Sequence, residues 1–217
     1  MPGKGAAGRA PNAPRRARGW RVAGGRIDWP RSLAAKGVGV LEPAHLRRRL
    51  RPVGSACLHC LVLDCSGSML KGRRLALAKG LLLAWTAQLY RRRESLAVIG
   101  FSGTAARVLQ PPRKAVAFNT RWIAPVAGGG GSPAASAVVL ADRMLARRRR
   151  AQAGETVHLW LLSDVRFASL PPRPVHATHC SVIDFDEGPF ALGRARQLAQ
   201  LWGAEHLSAS AFASALG

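Results

Sequence analysis

The sequence predicts an α/β fold: a doubly wound, mostly parallel sheet with helices on both faces and one short antiparallel edge strand. Three observations predict it. From Cys57 onward, short apolar runs rich in Leu, Val and Ile alternate with longer stretches of helical character, which is the rhythm of a parallel sheet with crossover helices. Two of those runs end in polar residues, Leu63-Asp64-Cys65-Ser66 and Leu162-Ser163-Asp164, and strand C-termini meet in one crevice of such a sheet. At 217 residues and 48% apolar content, the chain has enough material for one sizeable core plus an extension.

The elements follow in order. Residues 1–25 are almost entirely Gly, Ala, Pro and Arg; with little to bury, they are expected to form a disordered basic extension. Residues 26–56 form a basic lead-in that gains apolar anchors from Ile27-Asp28-Trp29-Pro30 and carries a short basic helix at 43–50. The domain proper is expected over 57–217. It opens with a strand at 57–63, apolar almost throughout and therefore buried on both faces. A helix from about 70 to 92, a strand at 95–101 and the short edge strand at 106–109 come next. A helix around 114–122 leads to the loop Gly128-Gly129-Gly130-Gly131-Ser132-Pro133, a helix at 133–150 and a strand at 156–162. A strand at 178–184, a helix at 190–202, a short strand at 204–207 and a terminal helix complete the chain. Gly203 after Trp202 reads as a helix C-cap, because glycine tolerates the left-handed backbone that ends many helices.

Charge and cysteine usage narrow the function classes. The net charge of +22 is uneven: residues 1–56 hold 13 Lys and Arg against Asp28 and Glu42. That balance favours acidic partners without choosing among nucleic acid, an anionic membrane and an acidic protein segment. Arg147-Arg148-Arg149-Arg150 ends a predicted helix, where cations complement the exposed carbonyls. Cys57 and Cys60 fall on one strand with odd spacing, and the set with Cys65 and Cys180 lacks the paired spacing of a zinc ribbon. Buried free thiols in a reducing compartment are expected. There is no apolar run of spanning length and no apolar stretch after the N-terminal basic residues, so cytoplasmic is the default location.

The chemistry-bearing residues are Asp64, Ser66 and Ser68 on one tight loop after the first strand, Ser132 on the glycine-rich loop, and Asp164 after a later strand. Carboxylates and hydroxyls are hard oxygen donors. They suit Mg²⁺, or Mn²⁺, which takes near-octahedral oxygen coordination at about 2.1 Å, better than Zn²⁺. Each residue also has a plainer role open to it, since Asp and Ser commonly cap turns and helices. An enzyme needs more than a cation. No Gly-x₄-Gly-Lys-Ser/Thr sequence for nucleotide phosphates is present, and Gly100-Phe101-Ser102-Gly103-Thr104 lacks the last glycine of a hydrolase elbow. No intrinsic catalysis is expected.

Taken in order, Asp64-Cys65-Ser66-Gly67-Ser68-Met69, Gly130-Gly131-Ser132-Pro133 and Leu161-Leu162-Ser163-Asp164 resemble the metal-ion-dependent adhesion site (MIDAS) of a von Willebrand factor A, or integrin I-like, domain. Within that superfamily the chain resembles the C-terminal domain of the magnesium-chelatase D subunit and its cobaltochelatase relatives. Ala76-Leu77-Ala78-Lys79-Gly80, Val98-Ile99-Gly100-Phe101-Ser102-Gly103-Thr104 and Leu109-Gln110-Pro111-Pro112 add to that likeness. The resemblance implies that Ser66 and Ser68 ligate the cation directly and that Asp64 and Asp164 act directly or through water. Ser132 stands where the family usually has Thr; the hydroxyl is kept, but the methyl that fixes its rotamer is not. The sixth position would be left for a carboxylate donated by a partner.

The same resemblance implies a role as a non-catalytic accessory subunit of a tetrapyrrole metal chelatase, inserting magnesium or cobalt, as in cobalamin synthesis. The domain would link a separate AAA+ ATPase subunit to a large chelatase catalytic subunit through the cation. The first 56 residues here are short and basic, unlike the AAA+-like module and acidic linker of the full D subunit. Two other readings stand beside it: a von Willebrand factor A protein that holds nucleic acid with its basic extension, and a scaffold for an unrelated AAA+ ATPase. The extension has only Trp20 and Trp29 as aromatic rings, too few to interleave with bases. Deleting residues 1–25 is expected to leave the thermal unfolding temperature nearly unchanged while weakening salt-sensitive association. Loss of the folding transition on deletion would make the segment structural.

Overall fold

The computed structural model describes residues 27, 29–47, 56–116, 126–188 and 190–216, and the chain divides into two units, Met1–Gly54 and Ser55–Gly217. In the first unit, Trp29–Lys36 forms helix α1 and Pro43–His45 a single 3₁₀ turn. Buried Ser32 ties α1 to the residues after the turn: the Arg47 N–H donates to Ser32 Oγ at 2.7 Å, and that hydroxyl donates back to the Arg47 carbonyl at 3.2 Å. The basic helix expected at 43–50 is therefore cut short. Leu46 already has extended backbone angles (φ −67°, ψ 109°), and 48–50 lie outside the described residues, as do 1–25.

In the second unit, the apolar run at 57–63 becomes the central strand β1 (Cys57–Asp64). A short helix α2 (Gly67–Leu70) and the long helix α3 (Arg74–Arg91) follow, then β2 (Ser95–Ser102) and β3 (Ala105–Lys114). Helix α4 (Ala134–Ala151), β4 (Thr156–Ser163), β5 (His179–Asp184), α5 (Arg194–Trp202), β6 (Glu205–Ser208) and α6 (Ala209–Leu216) complete it. The sheet runs β3-β2-β1-β4-β5-β6. All neighbours are parallel except β2 and β3. This is the mostly parallel, doubly wound architecture with one antiparallel edge that the sequence predicts.

Alternation along each strand sorts the core into two layers. Leu58, Cys60 and Val62 of β1 face one side with Val157, Leu159 and Leu161 of β4, covered by α4 and α5. Leu61 and Leu63 face the other with Leu162, covered by α3 and α6. The chain leaves β1 over one face to reach β2 and later crosses to β4 on the other flank of β1. The C-terminal ends of β1 and β4 therefore border the point where the winding reverses, which is where such sheets build their sites.

Several boundaries differ from expectation for local reasons. The helix expected over 70–92 is two pieces, because Gly72 and Arg73 both take left-handed angles (φ 61° and 62°) between α2 and α3. The edge strand is ten residues long rather than four. Its register with β2 shifts on either side of Val98, and its Pro111 and Pro112 fit because edge strands and such irregularities are where a sheet accepts proline. Lys114 closes β3, so the helix expected around 114–122 does not start there, and 117–122 lie outside the described residues. Helix α5 starts at Arg194, after left-handed Gly193. Gly203 ends it at φ 55°, with its N–H bonded to the Gln200 carbonyl at 3.1 Å. The four cysteines are free; Cys60, Cys65 and Cys180 are buried, and Cys57 is partly so.

At the opposite end of the sheet from that switch point, His59, His158 and His179 are directly opposed on β1, β4 and β5. His158 stacks on Trp160 at 3.9 Å between ring centroids, and its Nε2 lies 2.9 Å from Ser181 Oγ. Trp160 Nε1–H donates to His59 Nδ1 at 3.2 Å, which leaves His59 Nε2 to donate to Glu94 at 3.1 Å. Burial first, then the neighbouring His59 and His179, push His158 down to about 4. Unfolded, this imidazole takes a proton near pH 6.5. The unfolded chain therefore binds the extra proton between the two values, and stability falls as pH drops from about 6.5 to about 4. Allowing for partial exposure, the loss is about 2 kcal/mol. Urea unfolding at pH 7 and pH 4.5 checks this: His158→Phe, which keeps the stacking on Trp160, is expected to lose less stability over that interval than the wild type.

Candidate functional site

Asp64 is the last residue of β1 and is fully buried. Its Oδ1 accepts from the Ser66 N–H at 2.8 Å, the bond that turns the chain into α2, and its Oδ2 accepts a short hydrogen bond from Ser163 Oγ at the end of β4. One carboxylate thus pins together the two strand ends at the switch point. Burial raises its pKa above the ordinary aspartate value, although the bonds from Ser163 and Ser66 work the other way. Ser66, at the start of α2, places its Oγ 3.1 Å from Ser68 Oγ, and Ser68 Oγ donates to Asp164 Oδ1 at 3.1 Å. Four of the five residues singled out in the sequence are joined by this continuous set of contacts.

The fifth, Ser132, arrives through the glycine-rich loop. The Gly67 N–H donates to the Gly130 carbonyl at 3.1 Å and the Gly129 N–H to the Cys65 carbonyl at 2.8 Å, which seats the loop on the Asp64–Ser68 turn. Glycine is required by closeness as well as by conformation. A Cβ on Gly130 (φ 74°) would lie 2.8 Å from Gly103 Cα, and one on Gly131 would lie 2.7 Å from the Gly103 carbonyl oxygen. Ser132 Oγ itself is buried and has no hydrogen-bond partner among the described residues. A buried hydroxyl without a partner loses its hydration for nothing in return, at a cost of about 1–3 kcal/mol, unless a ligand completes it.

Three residues not singled out from the sequence surround Asp164. Arg74, the first residue of α3, donates to Asp164 Oδ2 at 3.0 Å and to Asp186 Oδ1 at 3.1 Å. Arg166 Nη2 donates to Asp186 Oδ1 at 2.7 Å, and its Nε lies 3.9 Å from Asp164 Oδ2. Burial opposes ionisation of Asp186, but the Leu192 N–H and the two guanidinium groups outweigh it and hold its carboxyl below the ordinary range. The backbone between Asp164 and Arg166 is strained: buried Val165 has φ 50°, unfavourable for a β-branched residue, and its N–H is held by Ser163 Oγ at 2.8 Å. Asp186, two residues beyond the β5 strand end, follows the same pattern as Asp164 and could have been found from it. Arg74 and Arg166 carried no signal among the chain's 33 cations.

The donor set is all oxygen: two aspartates and the hydroxyls of Ser66, Ser68 and Ser132. Among the described residues no cluster of three or more His, Cys, Asp or Glu is arranged to hold a metal, so any cation here depends on the serines, as a hard ion allows. No imidazole is hydrogen-bonded to these hydroxyls among the described residues. Burial, then the neighbouring Asp64, push the adjacent Cys65 thiol up to about 12, which leaves it inert.

Arg74 compensates two carboxylates that are almost inaccessible to solvent. Arg74→Met is expected to cost about 2–4 kcal/mol, because it strands buried charge. Urea denaturation at pH 7 measures it. In the Arg74→Met/Asp164→Asn pair part of that loss is expected back, since the orphaned charge goes with its partner.

Residues 60–164 match the family model of the von Willebrand factor type A domain. The chain is 29% identical over 184 residues to the uncharacterized protein Rv2850c of Mycobacterium tuberculosis; the match covers 78% of this chain but only 29% of that relative's length. Among solved structures, it is similar to an aerotolerance-related membrane protein of Bacteroides fragilis (TM-score 0.54, 14% identity, 74% of this chain and 94% of that one). It is also similar to the pilus adhesin SpaC of Lactobacillus rhamnosus GG (TM-score 0.54, 15% identity, 75% of this chain and 29% of that one). The VWA domain of SpRpn10 matches with TM-score 0.52 at 11% identity over 70% of this chain and 86% of that one. At such identities these likenesses speak to fold alone, and the fold they share is the one that the family-model match over residues 60–164 points to, that of a von Willebrand factor type A domain.

Proposed function

We propose that the domain is a cation-dependent protein-interaction module that binds Mg²⁺, or Mn²⁺, through Ser66, Ser68 and Ser132, with Asp64 and Asp164 supporting the shell directly or through water. The observation that carries this reading is the buried Ser132 Oγ, without a hydrogen-bond partner among the described residues and delivered by a close-packed glycine loop onto the turn that holds the other hydroxyls. A bound dication would supply Lewis-acid attraction for a carboxylate from a partner protein. The chain's own contribution is positional. Asp64 fixes the turn through the Ser66 N–H, Ser163 fixes Asp64, and Arg74 and Arg166 hold Asp164 in place. Those guanidinium groups also offset negative charge near the shell. Cation affinity should therefore be modest and depend on an incoming carboxylate for its last part.

Within that reading, the chain acts as the accessory subunit of a tetrapyrrole metal chelatase for magnesium or cobalt. A separate AAA+ ATPase and a large catalytic subunit would be its partners. The support is the ordered run of motifs from Asp64 to Asp164. Titration calorimetry with Mg²⁺ alone is expected to show one site in the wild type and none in Ser68→Ala/Ser132→Ala, while both melt alike. Ser132→Thr is expected to bind as tightly or more tightly, because the methyl restricts the hydroxyl rotamer. Absence of Mg²⁺ and Mn²⁺ binding in the wild type would overturn the cation reading. An ATPase subunit captured equally well in EDTA would overturn the cation bridge.

A further inference from the structure

Away from the oxygen cluster, helix α4 and the edge strand β3 enclose a groove of about 530 Å³. Leu140 and Met144, one helical turn apart, pack partly against the core and line this groove with their remaining surface; Val108, Pro111 and Pro112 of β3 form the facing wall. A second depression continues it along the same helix past Val139. Val108 and Val139 are 40% and 43% exposed, so the floor is apolar and open to solvent. Its rim is cationic. Arg143 and Arg147 are exposed and have no ion-pair partner among the described residues. Arg148 beside them is already neutralised by the buried Glu155, through bonds of 2.7 and 2.9 Å. The one acidic residue of α4, Asp142, is taken by His176, whose Nδ1 lies 2.9 Å from its carboxylate and whose backbone N–H donates to it at 2.8 Å.

An apolar floor under an uncompensated positive rim selects its occupant. We infer that this groove docks an acidic amphipathic helix of a partner protein, with its apolar stripe on Leu140, Met144 and Val108 and its carboxylates on Arg143 and Arg147. Strand addition along β3 is disfavoured, because Pro111 and Pro112 offer no N–H to a new neighbour. A second copy of this chain would bring another net charge of +22 to the contact. Nucleic acid would find guanidinium groups but no aromatic ring among the lining residues on which to stack a base. Long-range attraction from the arginines would speed encounter, and burial of the apolar stripe would set the residence time.

The test is fluorescence anisotropy on the full chain with three labelled probes. One is a peptide of about 18 residues, long enough to form a helix on the surface, with Leu at i, i+3, i+4 and i+7 and Glu and Gln elsewhere. The second replaces each Leu by Ser at the same charge, and the third is a single-stranded RNA of matched length. The Leu peptide is expected to bind at least about tenfold more tightly than the Ser peptide, and Arg143→Glu/Arg147→Glu to weaken it by at least about tenfold with melting unchanged. Because the basic extension is identical in both proteins, the difference between them reports the groove. Equal binding of the two peptides, RNA binding with the same dependence on Arg143 and Arg147, or no binding of the Leu peptide at up to about 1 mM would each overturn the assignment.

Discussion

The buried Asp64 carboxylate is the constraint around which the domain is built. A charge-bearing group with no access to water is tolerated only where its lone pairs are used, and here they are used across a strand boundary. One oxygen holds the Ser66 N–H and so shapes the turn into α2; the other holds Ser163 and so fixes where β4 ends beside β1. Ser163 in turn receives the Val165 N–H, which keeps that residue in a backbone conformation it would not choose. The positions of Ser66, Ser68 and Asp164 follow from the same few bonds. Strain beside the cluster and order within it have one origin.

Around that centre, two arginines are paired with two aspartates. Arg74 and Arg166 share Asp164 and Asp186, and the Asp186 carboxylate reaches on to the Leu192 N–H. This ties the segment after β5 to the beginning of α3. The oxygen cluster is therefore enclosed on one side by a salt-bridged wall and on the other by glycine backbone packed against Gly103. Neither side can move far independently, so a ligand would meet a site whose geometry is largely set beforehand. Such preorganisation lowers the ordering cost of binding.

Much of this was legible in the sequence, and the reasons are particular. Leu61-Val62-Leu63-Asp64 and Leu161-Leu162-Ser163-Asp164 announce buried strands ending in carboxylates, and sheet topology then requires the two ends to meet. The spacing Asp64, Ser66, Ser68 and the run of glycines before Ser132 were readable for the same reason: short-range geometry is encoded in short-range sequence. What escaped notice depends on distance along the chain. Arg74 finds Asp186 across 112 positions, and nothing local distinguishes it from its neighbours Arg73 and Lys71. The break between α2 and α3 escaped because one of its two left-handed residues is an arginine, which seldom adopts that conformation. The extent of β3 escaped because its two prolines argue against a strand everywhere except at an edge.

The division of the core into two layers places indole rings on both sides of the sheet. Trp85 meets Trp160 edge to face at 4.4 Å and Phe212 at 4.9 Å, all on the face covered by α3 and α6. Trp202 sits fully buried on the other face, its Nε1–H bonded to the Pro171 carbonyl at 2.9 Å. Each layer therefore carries its own intrinsic fluorophore in a distinct environment: one is a coupled aromatic cluster beside imidazoles, the other a single hydrogen-bonded ring. Light emitted from the two layers can be separated by substituting one set together with Trp20, Trp29 and Trp122, the other three of the chain's six tryptophans, and the molecule so treated reports whether its two halves melt as a single cooperative unit or one after the other.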